Sequence, residues 1–109
     1  MADRIQSFED FWPFYLGEHR DPLNRVLHFI GTTAGVSIAL FAVVTFNPLA
    51  IPAALVAGYG PAWIGHFFVE KNRPASFKYP LYSLRGDCRM WCRFVTGRLT
   101  GELKSLGLI

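Results

Sequence analysis

The chain has 109 residues, the length of a single domain. Hydrophobic residues make up 51% and charged residues only 17%, against roughly 25% charged in soluble domains, which excludes a disordered chain. Two cysteines exclude a disulfide scaffold, and the net charge of +3 carries no nucleic-acid signal, because the basic residues rim a long uncharged middle and match no recognition motif.

In chain order, Ser7 with Asp10 makes a capping-box-like helix start, followed by Phe8, Phe11, Trp12, Tyr15 and Leu16 at helical spacing. This segment reads either as a helix lying on a membrane surface or as an ordinary core-packing helix. Met1–Asp10 is charged and has no apolar stretch, so no cleavable signal peptide is expected. From Val26 to Val69 there are 44 residues without an Asp, Glu, Lys or Arg. Two spans, Val26–Phe46 and Leu49–Val69, would each run about 31 Å at 1.5 Å per residue, matching a hydrocarbon core of about 30 Å. Asn47-Pro48 supplies the turn between them. Thr32, Thr33, Ser37 and Thr45 dilute the first span, so a buried helical hairpin in a soluble α-protein stands as the alternative. Gly60-Pro61 interrupts the second span and is expected to split off Ala62–Asn72.

Arg73–Gly86, with Pro74 and Pro80, reads as an ordered connecting loop. Asp87–Lys104 then reads as one amphipathic, Arg-rich helix. Arg20 and Arg25 precede the first span, and Lys71, Arg73 and Lys78 follow the second. A hairpin returns to the side it left, so both basic flanks share one face, and the positive-inside rule makes it cytoplasmic. The expected fold class is all-α. Residues 1–109 form a single multi-pass integral membrane domain, one transmembrane helical hairpin flanked by amphipathic helices, with both termini cytoplasmic.

Three histidines fall at one level of that hairpin. His28 lies just inside the first span, His66 just before the end of the second, and His19 approaches the same face from the amino-terminal side. Gly31, Gly35 and Ala39 on one span, with Ala54, Gly58 and Ala62 on the other, form small-residue faces that allow close packing. His66 and Glu70 stand four apart, on one face of an α-helix. Three imidazoles and a carboxylate suit iron or zinc; the other reading is that each histidine is a satisfied interfacial hydrogen-bonder. Asn24, Arg25, Asn72 and Arg73 surround this end. They read as recognition of an anionic head group or, for the arginines, as positive-inside anchors. Cys88 and Cys92 read as free thiols.

Two blocks, FYLGEHRDPLNRVLHFIG (Phe14–Gly31) and GYGPAWIGHFFVEKNRPASFKYPLYSLRGDCRM (Gly58–Met90), resemble the Mpo-type 2-hydroxy-fatty-acid dioxygenases, small membrane proteins of fatty-acid α-oxidation. The resemblance implies a non-haem Fe(II) enzyme that uses O2 to shorten a 2-hydroxy fatty acid by one carbon. The motif positions are Glu18, His19, Asn24, Arg25, His28, His66, Glu70, Asn72, Arg73 and Asp87. On this reading His19, His28 and His66 hold the metal, with Glu70 as fourth ligand or base. Arg25 or Arg73 orients the substrate carboxylate, and the acyl chain lies between the helices or in the surrounding lipid. With a single hairpin, a homodimer is expected to complete the membrane domain. Two other classes remain at this point: a non-catalytic membrane organiser or lipid-binding protein, and a zinc-dependent lipid hydrolase.

Overall fold

A computed structural model describes residues 4–109, and among them there are helices and turns but no strand. Helix α1 (Phe8–Gly17) starts where Ser7 Oγ accepts the Asp10 amide hydrogen, as its sequence predicts. Helix α2 (Pro22–Val44) begins four residues before the expected span. Asp21 is its N-cap, accepting from Leu23 N–H at 2.9 Å, and Pro22 occupies the first turn, where a missing N–H costs nothing. At 23 residues, about 34 Å, α2 is the one helix among the described residues long and apolar enough to cross a membrane.

The second expected span is helical but not uniform. Helix α3 (Ala50–Ile64) runs straight through Pro61 rather than breaking there. The change comes at Gly65–Glu70, where the hydrogen bonding widens into a π-helical turn. Lys71, in the left-handed conformation at φ 61°, ends it. α2 and α3 lie side by side and antiparallel: a Cβ placed on Gly31 would come within 2.5 Å of the Gly58 carbonyl oxygen, and one on Gly35 within 3.1 Å of the Ala54 carbonyl oxygen. The small faces therefore meet, as expected.

The connecting loop is shorter than expected. After a 3-10 turn at Ala75–Phe77, helix α4 (Pro80–Val95) starts at Pro80, seven residues before Asp87. Gly97, at φ 75°, separates it from α5 (Leu99–Ser105), so Asp87–Lys104 is two helices rather than one. The aromatic face of α1 is core: Phe11, Tyr15 and Leu16 are fully buried against Tyr79, Met90, Leu99 and Leu103. Each such side chain contributes about 1.5–3 kcal/mol by burial. The basic stripe of α4 covers this core, with Arg85 over the Phe8 ring at 4.1 Å and Arg89 over Trp12 at 4.9 Å. Trp12 Nε1 donates to Glu102 at 2.8 Å, and Glu102 pairs with Arg93.

The α2–α3 pair is built the other way round. Its outward side chains, among them Leu40, Val43, Phe46, Leu49, Val56 and Phe68, are exposed. One end of the molecule thus has its own aromatic core, and the other presents an apolar surface.

Candidate metal centre

The three histidines meet at the seam between those two regions. His19 follows the end of α1, His28 lies two turns into α2, and His66 lies in the π-helical turn. All three are at most 3% exposed. His19 Nε2 lies 3.0 Å from His28 Nε2 and 3.1 Å from His66 Nε2, and the three possible ligand atoms all fall within 4.8 Å of one another.

The outer ring nitrogens decide what those short contacts mean. His19 Nδ1 faces the Tyr15 carbonyl oxygen at 2.6 Å, and His28 Nδ1 faces the Asn24 carbonyl oxygen at 2.9 Å. His66 Nδ1 faces Asn72 Oδ1 at 2.7 Å, an orientation set because Asn72 Nδ2 donates to the Glu18 carbonyl oxygen at 3.2 Å. Each of these oxygens only accepts, so each Nδ1 carries the ring proton. Three Nε2 lone pairs then converge with no hydrogen between them. Burial, and after it the neighbouring His28 and His66, hold His19 well below the ordinary histidine range, so it stays neutral. Converging lone pairs, each opposite a fixed N–H, are what a metal-binding imidazole set requires. Imidazole nitrogens sharing one metal at bonds of about 2.1 Å lie roughly 3–4 Å apart, so separations of 3.0 and 3.1 Å leave the set able to close on an ion.

Glu70 does not join them. Its Oε2 accepts from the Asp21 amide at 2.6 Å and from Asn24 Nδ2 at 3.3 Å, closing the start of α2. The expectation of a shared face with His66 assumed an α-helical turn. The turn is π-helical instead, and the Glu70 carboxylate is taken up by the Asp21 amide and the Asn24 side chain rather than turned to the histidines.

The arginines are also placed elsewhere. Arg25 Nη1 donates to the carbonyl oxygens of His19 and Arg20 at 2.8 and 2.9 Å, tying the α1–α2 connection beneath His19. Arg73 is exposed and lines a separate surface cleft with Arg4 and Phe14. Neither borders the histidine cavity. Asn24 supports His28 through its backbone and Glu70 through its side chain; Gly65 packs directly on its amide. Burial, and then the Glu70 carboxylate, push the Glu18 carboxyl up.

Asp87 reaches the centre indirectly. It accepts a hydrogen bond from the Tyr15 hydroxyl, and the Tyr15 ring stacks on His19 with centroids 4.1 Å apart. Burial pushes the Asp87 carboxyl up to about 7, against the opposing hydrogen bond from Tyr15. Tyr15 was read from sequence only as an apolar-face residue; its position four before His19 was the available signal. The histidines border a cavity of about 10 Å³, room for one water, whose other walls include Tyr59, Ser76, Ser83 and Asp87.

Comparison with known proteins agrees with the motif. Residues 5–99 match the family model "2-hydroxy-palmitic acid dioxygenase Mpo1-like", and the chain belongs to this family. No curated protein and no solved structure matches it.

Proposed function

From that membership we propose that the protein is a non-haem iron(II) dioxygenase that uses O2 to shorten 2-hydroxy fatty acids by one carbon at a membrane. The observation that carries this reading is the convergence of three unprotonated Nε2 atoms in a buried pocket. His19, His28 and His66 would hold the metal, and bound iron(II) supplies the activation of O2 toward the 2-hydroxy acid.

The chain's own residues do the rest. Carbonyl oxygens of Tyr15 and Asn24, with the Asn72 amide, keep each imidazole in the tautomer that presents Nε2. Arg25 and Glu70 act as braces, one under His19 and one at the start of α2. Ala62, Trp63, Pro74 and Ala75 wall the pocket and keep bulk water from it.

The membrane placement is supported by the length of α2 and the apolar surface of the α2–α3 pair. Phe46 is 91% exposed and Leu49 84%, at the end far from the histidines. In this placement α2 crosses the bilayer, α3 returns across it only together with the π-helical turn that extends it to Glu70, the histidines sit at the cytoplasmic edge, and both termini are cytoplasmic.

Anaerobically purified protein is expected to hold stoichiometric iron and to consume O2 with 2-hydroxypalmitate. His66→Ala is expected to lose both. Stoichiometric zinc with lipid ester or amide hydrolysis would move the protein to the hydrolases, and full turnover by His66→Ala would remove the metal from the reaction.

A further inference from the structure

Beside the histidine cavity lies an open-sided apolar cleft of about 200 Å³, bordered by α2, α3 and α4. Gly31, Gly35 and Ala39 floor it on α2, Ala54 and Leu55 line it on α3, and Leu84 borders it from α4, with Leu55 and Leu84 half exposed at its rim. The glycines that let α2 and α3 touch also leave a strip without side chains, and α4 runs beside that strip without filling it.

The two cavities share Tyr59 and Asp87 as walls. Helix α4 serves both by its periodicity. Ser83 and Asp87, one turn apart, border the histidine cavity, whereas Leu84 and Cys88, one residue further round, border the apolar one. Ser83 is 4% exposed and its Oγ has no hydrogen-bond partner, a condition buried hydroxyls seldom keep. An unsatisfied hydroxyl beside the metal-ligand set, next to an apolar cavity, matches a ligand with a polar head and a hydrocarbon tail.

We propose that the cleft between α2, α3 and α4 is the acyl-chain subsite, and that the Ser83 hydroxyl hydrogen-bonds the single head-group oxygen that the water-sized histidine cavity admits. The tail then lies along the small-residue strip of α2 and α3 rather than free in the surrounding lipid. Ala39 stands eleven residues beyond His28, about 16 Å along α2, so Ala39 and Leu55 set how long a chain is accepted. This assignment rests on the 2-hydroxy-acid reading above.

Two measurements test it. The first is the turnover profile of the full-length protein from 2-hydroxyoctanoate to 2-hydroxystearate. Ala39→Phe is expected to lower the ratio of kcat/KM for 2-hydroxypalmitate over 2-hydroxyoctanoate by about tenfold or more, and Leu55→Ala to shift the optimum to longer chains. Ser83→Ala is expected to raise KM about tenfold at every length. The second is photolabelling of metal-free protein with 2-hydroxypalmitate bearing a terminal diazirine, followed by peptide mapping. Label is expected on the cavity-lining residues of α2 and α3, and it is lost in Ala39→Phe. Turnover with an unchanged length profile in both tail variants, or label on outward residues such as Val43 and Val56, places the tail in the bilayer and overturns the subsite. Cavity labelling without turnover of any 2-hydroxy acid overturns the dioxygenase reading and leaves the hydrocarbon subsite standing.

Discussion

Asn72 offers the sharpest test of how the centre is held. The π-helical turn ends with the His66 carbonyl oxygen accepting from both Lys71 and Asn72, which folds the chain back so that the Asn72 amide faces the His66 ring. Its Oδ1 accepts the Nδ1 proton at 2.7 Å, while Nδ2 is anchored on Glu18. Asn72→Ala removes that acceptor from a buried N–H and frees the ring to turn or to change tautomer. Loss of such an outer partner typically costs 10–100-fold in metal affinity, about 1.4–2.7 kcal/mol for this one ligand. Anaerobic titration of iron(II) against a competing chelator measures it directly. Asn72→Asp keeps the acceptor and is expected to bind at least about tenfold more tightly than Asn72→Ala. Affinity in Asn72→Ala within a factor of about two of wild type would show that packing alone orients His66, refuting the reasoning. Equal losses in both variants would assign the effect to the bonds donated to Glu18.

Asp87 predicts a pH dependence of stability. Its carboxyl is raised from 3.8 to about 7, so between those values the folded chain binds a proton that the unfolded chain has lost, and stability falls as pH rises. The full shift corresponds to about 4 kcal/mol. Asp87→Asn keeps an acceptor for Tyr15 and should flatten that fall, read as thermal midpoints of metal-free protein across this range; an unchanged slope would sink the assignment. Gly31→Ala is expected to cost about 1–3 kcal/mol, because its Cβ would meet the Gly58 carbonyl oxygen, a backbone atom that cannot swing aside. Gly17→Ala, with open space around the site, serves as the matched control and should not destabilise. Similar melting points for the two would argue against the close helix contact.

Much of this arrangement was legible because it depends on coarse features. The 44-residue uncharged run marked where the α2–α3 pair lies though not its helix lengths, and depth within an antiparallel pair put His28 level with His66 whatever the helix boundaries. The cap at Ser7 and the Gly31–Gly58 contact follow from local and periodic patterns. What could not be read depends on departures from those periods or on distant partners. Glu70 lies outside the ligand set because its carboxylate holds the Asp21 amide, 49 positions away. The start of α4 was hidden among prolines, although Pro80 suits a first turn. Gly86 looked like a loop residue, yet it lies within α4, where a Cβ would come 2.9 Å from the Tyr15 ring. That ring arrives from 71 positions away, and the hydrogen bond from Tyr15 to Asp87 spans 72.

The same distances say when in its life the molecule can hold its three histidines together. α1 carries His19, and α1 is held by residues from Tyr79 onward: Ile5 N–H donates to the Tyr79 hydroxyl across 74 positions, and Trp12 donates to Glu102 across 90. A nascent chain emerges with α1 first and its packing partners last, so His28 and His66 are made long before His19 is held against them. The three histidines are therefore fully held together only once α4 and α5 have packed on α1. A truncated or stalled product ending before α4 would carry all three histidines, yet His19 would be held only by the Arg25 and Asn72 bonds to its connection and not by the packing of α1.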